Sequence, residues 1–168
     1  KHTREEYIEL IDKIKKIIPN CGISHDMIAG FPDENEKDHK DTLSLMEYIK
    51  YDFGFMFSYS ERPGTPAAKK MKDNIPEEIK KRRLQEIIDL QQLHSKYRLN
   101  LMIGKKVCVL IEKSSKRSDK FWSGRTSQNN VVVFPKENYS VGDFVDVLIK
   151  EATSATLKGN AVAISSNI

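Results

Sequence analysis

Asp26-Met-Ile-Ala-Gly30-Phe-Pro-Asp-Glu34 and Tyr59-Ser-Glu-Arg62-Pro-Gly64-Thr-Pro-Ala67 decide how the first half of this 168-residue chain is read. Each follows an apolar run of strand length, carries a glycine where a ligand can approach the backbone closely, and leads into a helical pattern. Segments of this kind form the ligand rim at the C-terminal ends of parallel strands.

Upstream of the first rim, Thr3-Arg-Glu-Glu6 is a capping box, and Tyr7, Leu10, Ile11, Ile14, Ile17 and Ile18 recur at helical spacing. This predicts an amphipathic helix ending near Pro19-Asn20. Residues 22–30 suit a buried strand, 33–36 can cap a second helix whose Thr42, Leu43, Met46 and Ile49 share a face, and 51–59 form another strand. Two strands separated by one helix pair in parallel through a right-handed crossover. After the second rim, Pro76 stands at a first helical position, and Ile79, Leu84, Ile87, Ile88, Leu93 and Tyr97 carry a long helix toward Gly104. The unit is α-β-α-β-α. Two parallel strands cannot bury both faces or close a barrel, and their exposed edges predict self-association.

Beyond Gly104 the pattern changes to apolar runs at 107–111, 131–134, 144–149 and 157–162, punctuated by Gly124, Gly142 and Gly159. So small an all-β module removes its edges by closing into a barrel. The polar stretch 114–120 reads as a loop. The fold class is therefore α/β plus all-β, divided as 1–75, a connecting helix at 76–103, and a β-barrel at 104–168.

With 39% apolar and 31% charged residues the chain can bury a core. Its formal charge of +4 lies entirely in 104–168, which holds 10 of 28 basic but only 6 of 24 acidic residues. A polyanionic partner and a plain solvated surface are both compatible with that excess. Lys113, Lys116, Arg117, Lys120 and Arg125 gather there near Phe121, Trp122 and Phe134, combining charge with stacking surface as single-stranded RNA requires. A lysine-rich hairpin also keeps a barrel edge soluble. Phe121 and Trp122 are adjacent, so in a strand at most one of them meets RNA.

Cys21 and Cys108 supply neither a disulfide framework nor a metal site by themselves and read as buried thiols. His25, His39 and His94 lack a second ligand at a recognised spacing and read as surface or packed side chains. Lys80-Lys-Arg-Arg83, offset by Glu77, Glu78 and Glu86, reads as a solvated helix face. Asp26 is open between a rim role and fastening a neighbouring loop. The chain has no apolar run of about 20 residues and no signal-peptide pattern, which predicts a cytoplasmic protein without a membrane partner. Opening on Lys1 directly ahead of a helix start predicts the C-terminal piece of something longer.

At 26–34, at 59–67 and at Ser123-Gly-Arg-Thr-Ser-Gln-Asn-Asn-Val-Val-Val-Phe-Pro135, the chain resembles the C-terminal portion of tRNA methylthiotransferases of the MiaB type. Pro76-Glu-Glu-Ile-Lys-Lys-Arg-Arg-Leu84, Leu90-Gln-Gln92 and Ala155-Thr-Leu-Lys-Gly159 follow in that family's order, so the resemblance covers essentially the whole chain. It implies the last part of a radical S-adenosylmethionine (β/α) partial barrel, followed by a TRAM domain, an OB-like RNA-binding barrel. It also implies transfer of a methylthio group to an isopentenylated adenosine beside the tRNA anticodon, served by S-adenosylmethionine and two 4Fe-4S clusters. Their cysteines would precede Lys1, which leaves this chain inactive by itself.

By the same resemblance Ile28 and Gly30 match the family's Gly-x-Ile-x-Gly-like element, which backs the adenosyl group. Phe31 and Tyr59 join them as cofactor contacts, as does Glu34, whose acidic position is offset by one residue. Arg62 faces either a cofactor carboxylate or a tRNA phosphate. Methylthiotransferases that act on a ribosomal protein typically carry an acidic pair where this chain has Arg62-Pro63, which favours tRNA, through its anticodon stem-loop, as the substrate. The RNA contacts implied in the β module are Lys113, Lys116, Arg117, Lys120, Arg125 and Phe134. A non-catalytic RNA-binding module and the same chemistry on a ribosomal protein are the alternatives.

Overall fold

The structure is a computed structural model that describes residues 2–165. The chain divides into two compact units, Ser24–His94 and a second made of Lys1–Ile23 with Ser95–Ile168.

In the unit Ser24–His94, strand β1 (Ser24–Ala29) leads through the first rim to helix α2 (Glu36–Ile49), and strand β2 (Phe53–Ser58) leads through the second to helix α3 (Pro66–Lys70). Helix α4 (Glu77–Asn100) follows and extends into the other unit. Asn35 starts α2 by accepting from the Lys37 and Asp38 amides at 2.8 and 3.1 Å, while Asp38 accepts from the Asn35 amide at 3.0 Å. Strands β1 and β2 pair in parallel, from Ser24 opposite Phe53 to Ala29 opposite Ser58.

Side chains alternate across that sheet. His25 and Ala29 are buried, and the apolar core of the unit comprises Ala29, Met46, Ile49, Tyr51 and Ile87. On the opposite face Asp26 pairs with Phe55 and Ile28 with Phe57, and Ile28, Phe55 and Phe57 remain 56%, 58% and 55% exposed. One face of the sheet is thus covered and the other is bare, as two parallel strands require. Helix α3 was not foreseen from sequence. Thr65 caps it by accepting from the Ala68 amide at 3.2 Å, and Pro66 fills its first turn.

In the other unit, helix α1 (Arg4–Ile17) starts at the expected capping box, with the Glu6 carboxylate accepting from the Thr3 amide at 2.7 Å. Its buried stripe is narrower than the sequence pattern: Ile11 is buried, whereas Leu10, Ile17 and Ile18 are exposed. Strands β3 (Lys106–Ser115), β4 (Ser118–Arg125), β5 (Val131–Pro135), β6 (Phe144–Ala152) and β7 (Leu157–Ile164) close into a barrel in the order β3-β4-β5-β7-β6. Inside it Val109, Ile111, Val132, Phe134, Val145, Val147, Ile149 and Leu157 are almost completely buried.

The stretch 114–120, expected as a loop, consists mainly of strand. Ser115 pairs with Ser118, which leaves only Lys116 and Arg117 to turn the hairpin. Both strands present polar, partly solvated residues there, so the apolar alternation that marks a half-buried strand is missing while the ladder continues. Among the described residues no helix is long and apolar enough to cross a membrane.

Candidate functional site: a sheet cavity and a basic barrel surface

A cavity of about 890 Å³ lies against the bare face of the β1–β2 sheet. Asp26, Ile28, Phe55 and Phe57 from the strands line it, together with Phe31 from the first rim and Tyr59, Arg62 and Pro66 from the second. That size and mostly apolar lining are those of a site for a small organic molecule. The rims meet through the Tyr59 amide, which donates to the Ala29 carbonyl at 2.8 Å, and through an edge-to-face contact of the Phe31 and Tyr59 rings at 5.2 Å. The Arg62 turn is closed by the Thr65 hydroxyl, which donates to the Arg62 carbonyl at 2.9 Å, and among the described residues the guanidinium makes no ion pair. Asp26 and Arg62 therefore bring opposite charges to an apolar cavity.

The structure explains Gly30 differently from the sequence. Its φ is +75°, and a Cβ there would run into the stem of Lys80, so the close approach is made by the protein's own side chain. Lys80 is 1% exposed, with its ammonium 2.6 Å from Asp73 and 2.9 Å from Glu77, and the hydrogen bond to Asp73 holds its pKa above the usual lysine value. The same ammonium lies 5.6 Å from the centre of the Tyr59 ring.

Arg83, 5% exposed, donates to the Glu34 carbonyl at 2.8 Å and to its carboxylate at 3.2 Å, and that carboxylate also accepts from the Gly30 amide. Lys80 and Arg83 are therefore not part of a solvated helix face, which corrects the sequence reading. Exposed Lys81 and Arg82 fit it better, with Arg82 bridging Glu36 and Glu86 at 2.7 Å each. The bond to Arg82 holds the Glu36 carboxyl below its usual pKa. What the structure shows for Glu34 is a brace on the rim loop. Spacing along α4 could not reveal this, because the partners of Lys80 and Arg83 include residues far away in sequence.

His25, His39 and His94 are packed. His25 Nε2 lies 2.8 Å from Gln91 Oε1, burial lowers the His25 pKa, and its ring fills the space a Cβ at Gly54 would need. His39 Nε2 lies 2.7 Å from Glu86, whose carboxyl is held below its usual range by that bond and by Arg82. Among the described residues no three His, Cys, Asp or Glu side chains gather as a metal site.

On the barrel, Lys113, Lys116, Arg117, Lys120 and Arg125 are all exposed. The structure separates them: Lys116 and Arg117 form the hairpin turn, while Lys113 and Arg125 stand on strands. Arg125 reaches Asn129 Oδ1 at 2.6 Å and Glu112 at 3.4 Å. Phe134, expected at RNA, is 0% exposed in the core, so its ring is not a stacking surface; the inward turn of its strand position corrects that expectation. Its cross-strand neighbour Trp122 packs against the same core, with the Lys136 ammonium 4.2 Å above its ring and 2.7 Å from Ser114 Oγ. Phe121 is left as the outward aromatic, 37% exposed.

Residues 100–162 match the model of the TRAM domain, so the barrel is one. The rest of the chain matches as well. It is 68% identical over 166 residues to a tRNA-2-methylthio-N(6)-dimethylallyladenosine synthase of Christiangramia forsetii, a match covering 99% of this chain and 34% of that protein. Synthases of the same name from Flavobacterium johnsoniae and Bacteroides fragilis are 63% and 54% identical, over 98% and 96% of this chain and 34% and 35% of theirs. The chain spans about a third of the length of these relatives. Its similarity to these synthases runs through both the rims and the barrel.

Proposed function

We propose that this chain supplies the distal part of the catalytic barrel and the RNA-binding domain of a cytoplasmic radical S-adenosylmethionine enzyme that methylthiolates a dimethylallylated adenosine of tRNA. The observation that carries the reading is the 68% identity sustained over 99% of the chain, across both the rims and the barrel.

The cavity suits S-adenosylmethionine in its own chemistry. Ile28, Phe31, Phe55 and Phe57 offer apolar walls to a flat base, and Asp26 and Arg62 offer opposite charges to a zwitterionic end. When bound, that cofactor would supply hydrogen-abstracting radical chemistry. This chain's part is to bind, orient and exclude water: Ile28, Phe31 and Tyr59, which line the cavity, back the adenosyl group, and Glu34 holds the Gly30 turn between them. Arg62 serves the cofactor carboxylate or a tRNA phosphate. Cys21 and Cys108 are too few for one cluster, so two clusters need ligands outside this chain, and the chain alone is expected to be inactive.

The anticodon stem-loop meets the barrel through Lys113, Lys116, Arg117, Lys120 and Arg125. Lys116→Ala or Arg125→Ala is expected to weaken tRNA binding and lower its salt dependence; unchanged salt slopes remove these residues from the contact set.

Mass spectrometry of tRNA nucleosides from cells with the gene intact or deleted tests the reaction. Loss of the methylthio nucleoside with accumulation of its dimethylallyl precursor is expected. Persistence of the methylthio nucleoside overturns the reading.

A further inference from the structure

The strand register sets one row of side chains across four strands on the outside of the barrel. Lys113 of β3 lies opposite Ser123 of β4, Ser123 opposite Val133 of β5, and Val133 opposite Lys158 of β7. The row faces outward because its neighbours in register, Gly124, Val132 and Leu157, are buried. A register shift between Ile111 and Lys113 turns Lys113 to this side, where Glu112 is exposed too. On either side of the row stand Phe121, paired with Pro135, and Arg125, paired with Val131. At the spacing of neighbouring strands, Lys113 and Lys158 are about 14 Å apart along the sheet.

We infer that this outer face of β3-β4-β5-β7 is a track for a single-stranded stretch of RNA, with Phe121 stacking a base and Lys113, Arg125 and Lys158 holding phosphates. The inference rests on the reading of the barrel as RNA-binding and adds Phe121 and Lys158 to it. Phe121 with half-buried Val133 and Pro135 gives an apolar floor, and exposed cations surround it, a combination that suits bases and phosphates together. Two acidic groups pair with the cations of the track, Glu112 3.4 Å from Arg125 and Glu151 3.2 Å from Lys158, and exposed Asp119 stands on β4 two residues from Phe121. Both pairs are solvated, and such ion pairs contribute little, so a phosphate can displace them. Trp122 and Lys136 are not in the track, because Lys136 lies over the Trp122 ring and bonds Ser114.

The test is fluorescence anisotropy of the full chain with a fluorescein-labelled oligoadenylate of about 12 nucleotides, across a salt series. Phe121→Ala is expected to weaken binding about tenfold with the salt slope unchanged, since stacking releases no counterions. Lys158→Gln, a change that leaves the barrel core untouched, is expected to lower the slope of log Kd against log salt by about 0.7. Wild-type binding that neither variant alters, with loss confined to Lys116→Ala and Arg117→Ala, places RNA on the hairpin tip and overturns the track alone. A wild-type chain that binds no RNA at low salt overturns both the track and the reading beneath it.

Discussion

The two β structures of this chain solve the same problem with unequal success. The five-stranded barrel closes on itself, so every strand has two neighbours and its inward residues, from Val109 to Leu157, fill one core. The β1–β2 sheet has only two strands; helices cover one face, and the other presents Ile28, Phe55 and Phe57 to solvent. Closure makes the barrel self-sufficient and leaves its outside free for a partner held by charge. The open sheet keeps an apolar surface and two unpaired edges. Its rim geometry depends on buried charged side chains from α4. The proposed functions follow the same division, with an external track on one unit and a walled cavity on the other.

The sharpest way to break this comparison is at Gly30. Gly30→Ala forces a side chain into the Lys80 stem at a positive φ and is expected to destabilise the α/β unit by about 3 kcal/mol. The chain's only tryptophan, Trp122, lies in the barrel, so its fluorescence reports barrel unfolding while far-ultraviolet dichroism follows the helices. The variant should shift the dichroism transition in urea and leave the fluorescence transition in place. Equal shifts of both would erase the distinction between the units.

Next comes Arg83→Met, which leaves the Glu34 carboxylate without its cation. A loss of about 2 kcal/mol in the α/β unit is expected, because Arg83 is itself largely buried. The signature is faster hydrogen exchange at the amides of 30–34, with barrel amides unchanged. Unaltered exchange at Gly30 would show that Arg83 does not brace the rim.

His25 gives a pH dependence confined to the same unit. Burial holds its pKa below 6.5, so the unfolded chain binds the proton more readily than the folded one. Its contribution is fully present above the unfolded value and is lost as pH falls through the folded one. The dichroism midpoint should therefore drop on acidification below about pH 6.5, and His25→Gln should flatten that dependence. A midpoint as pH-dependent in the variant as in the wild type counts against His25 as its source.

The smallest effect expected is self-association through the open sheet. Sedimentation velocity should give a coefficient that rises with concentration and falls back in Phe57→Ser, whose side chain is exposed. A clean monomer at every concentration contradicts the idea.

Much of the fold was legible because local chemistry and tertiary structure agree. The Thr3 box, the helix between two strands and the four apolar β runs each lie where periodicity put them. The Pro63-Gly64 turn was legible too, since Gly64 takes the positive φ that favours glycine, whereas the close approach expected of a ligand at Gly30 is made by Lys80. Three features were not. Helix α3 is one short turn with no apolar period to announce it. The outer end of the β3–β4 ribbon, over 114–120, has no buried apolar face, and hydrophobic alternation marks a strand only where one face is buried. The burial of Lys80 and Arg83 depends on Asp73 and Glu34 outside α4 as well as on Glu77 within it, and a charge run read along one helix does not reveal partners on other segments. Phe134 illustrates the same limit, because the direction of a strand side chain is settled by register across the barrel.

The division of labour between closed barrel and open sheet is tested most directly by titrating the isotopically labelled 168-residue chain with the anticodon stem-loop RNA and following its backbone amide resonances. The expected result is that the first amides to shift are those of 113, 121, 125 and 158 on the barrel, while those of 28–31 and 59–62 around the cavity stay in place. Shifts that begin at Ile28, Phe31 and Arg62 with the barrel amides unmoved would contradict it.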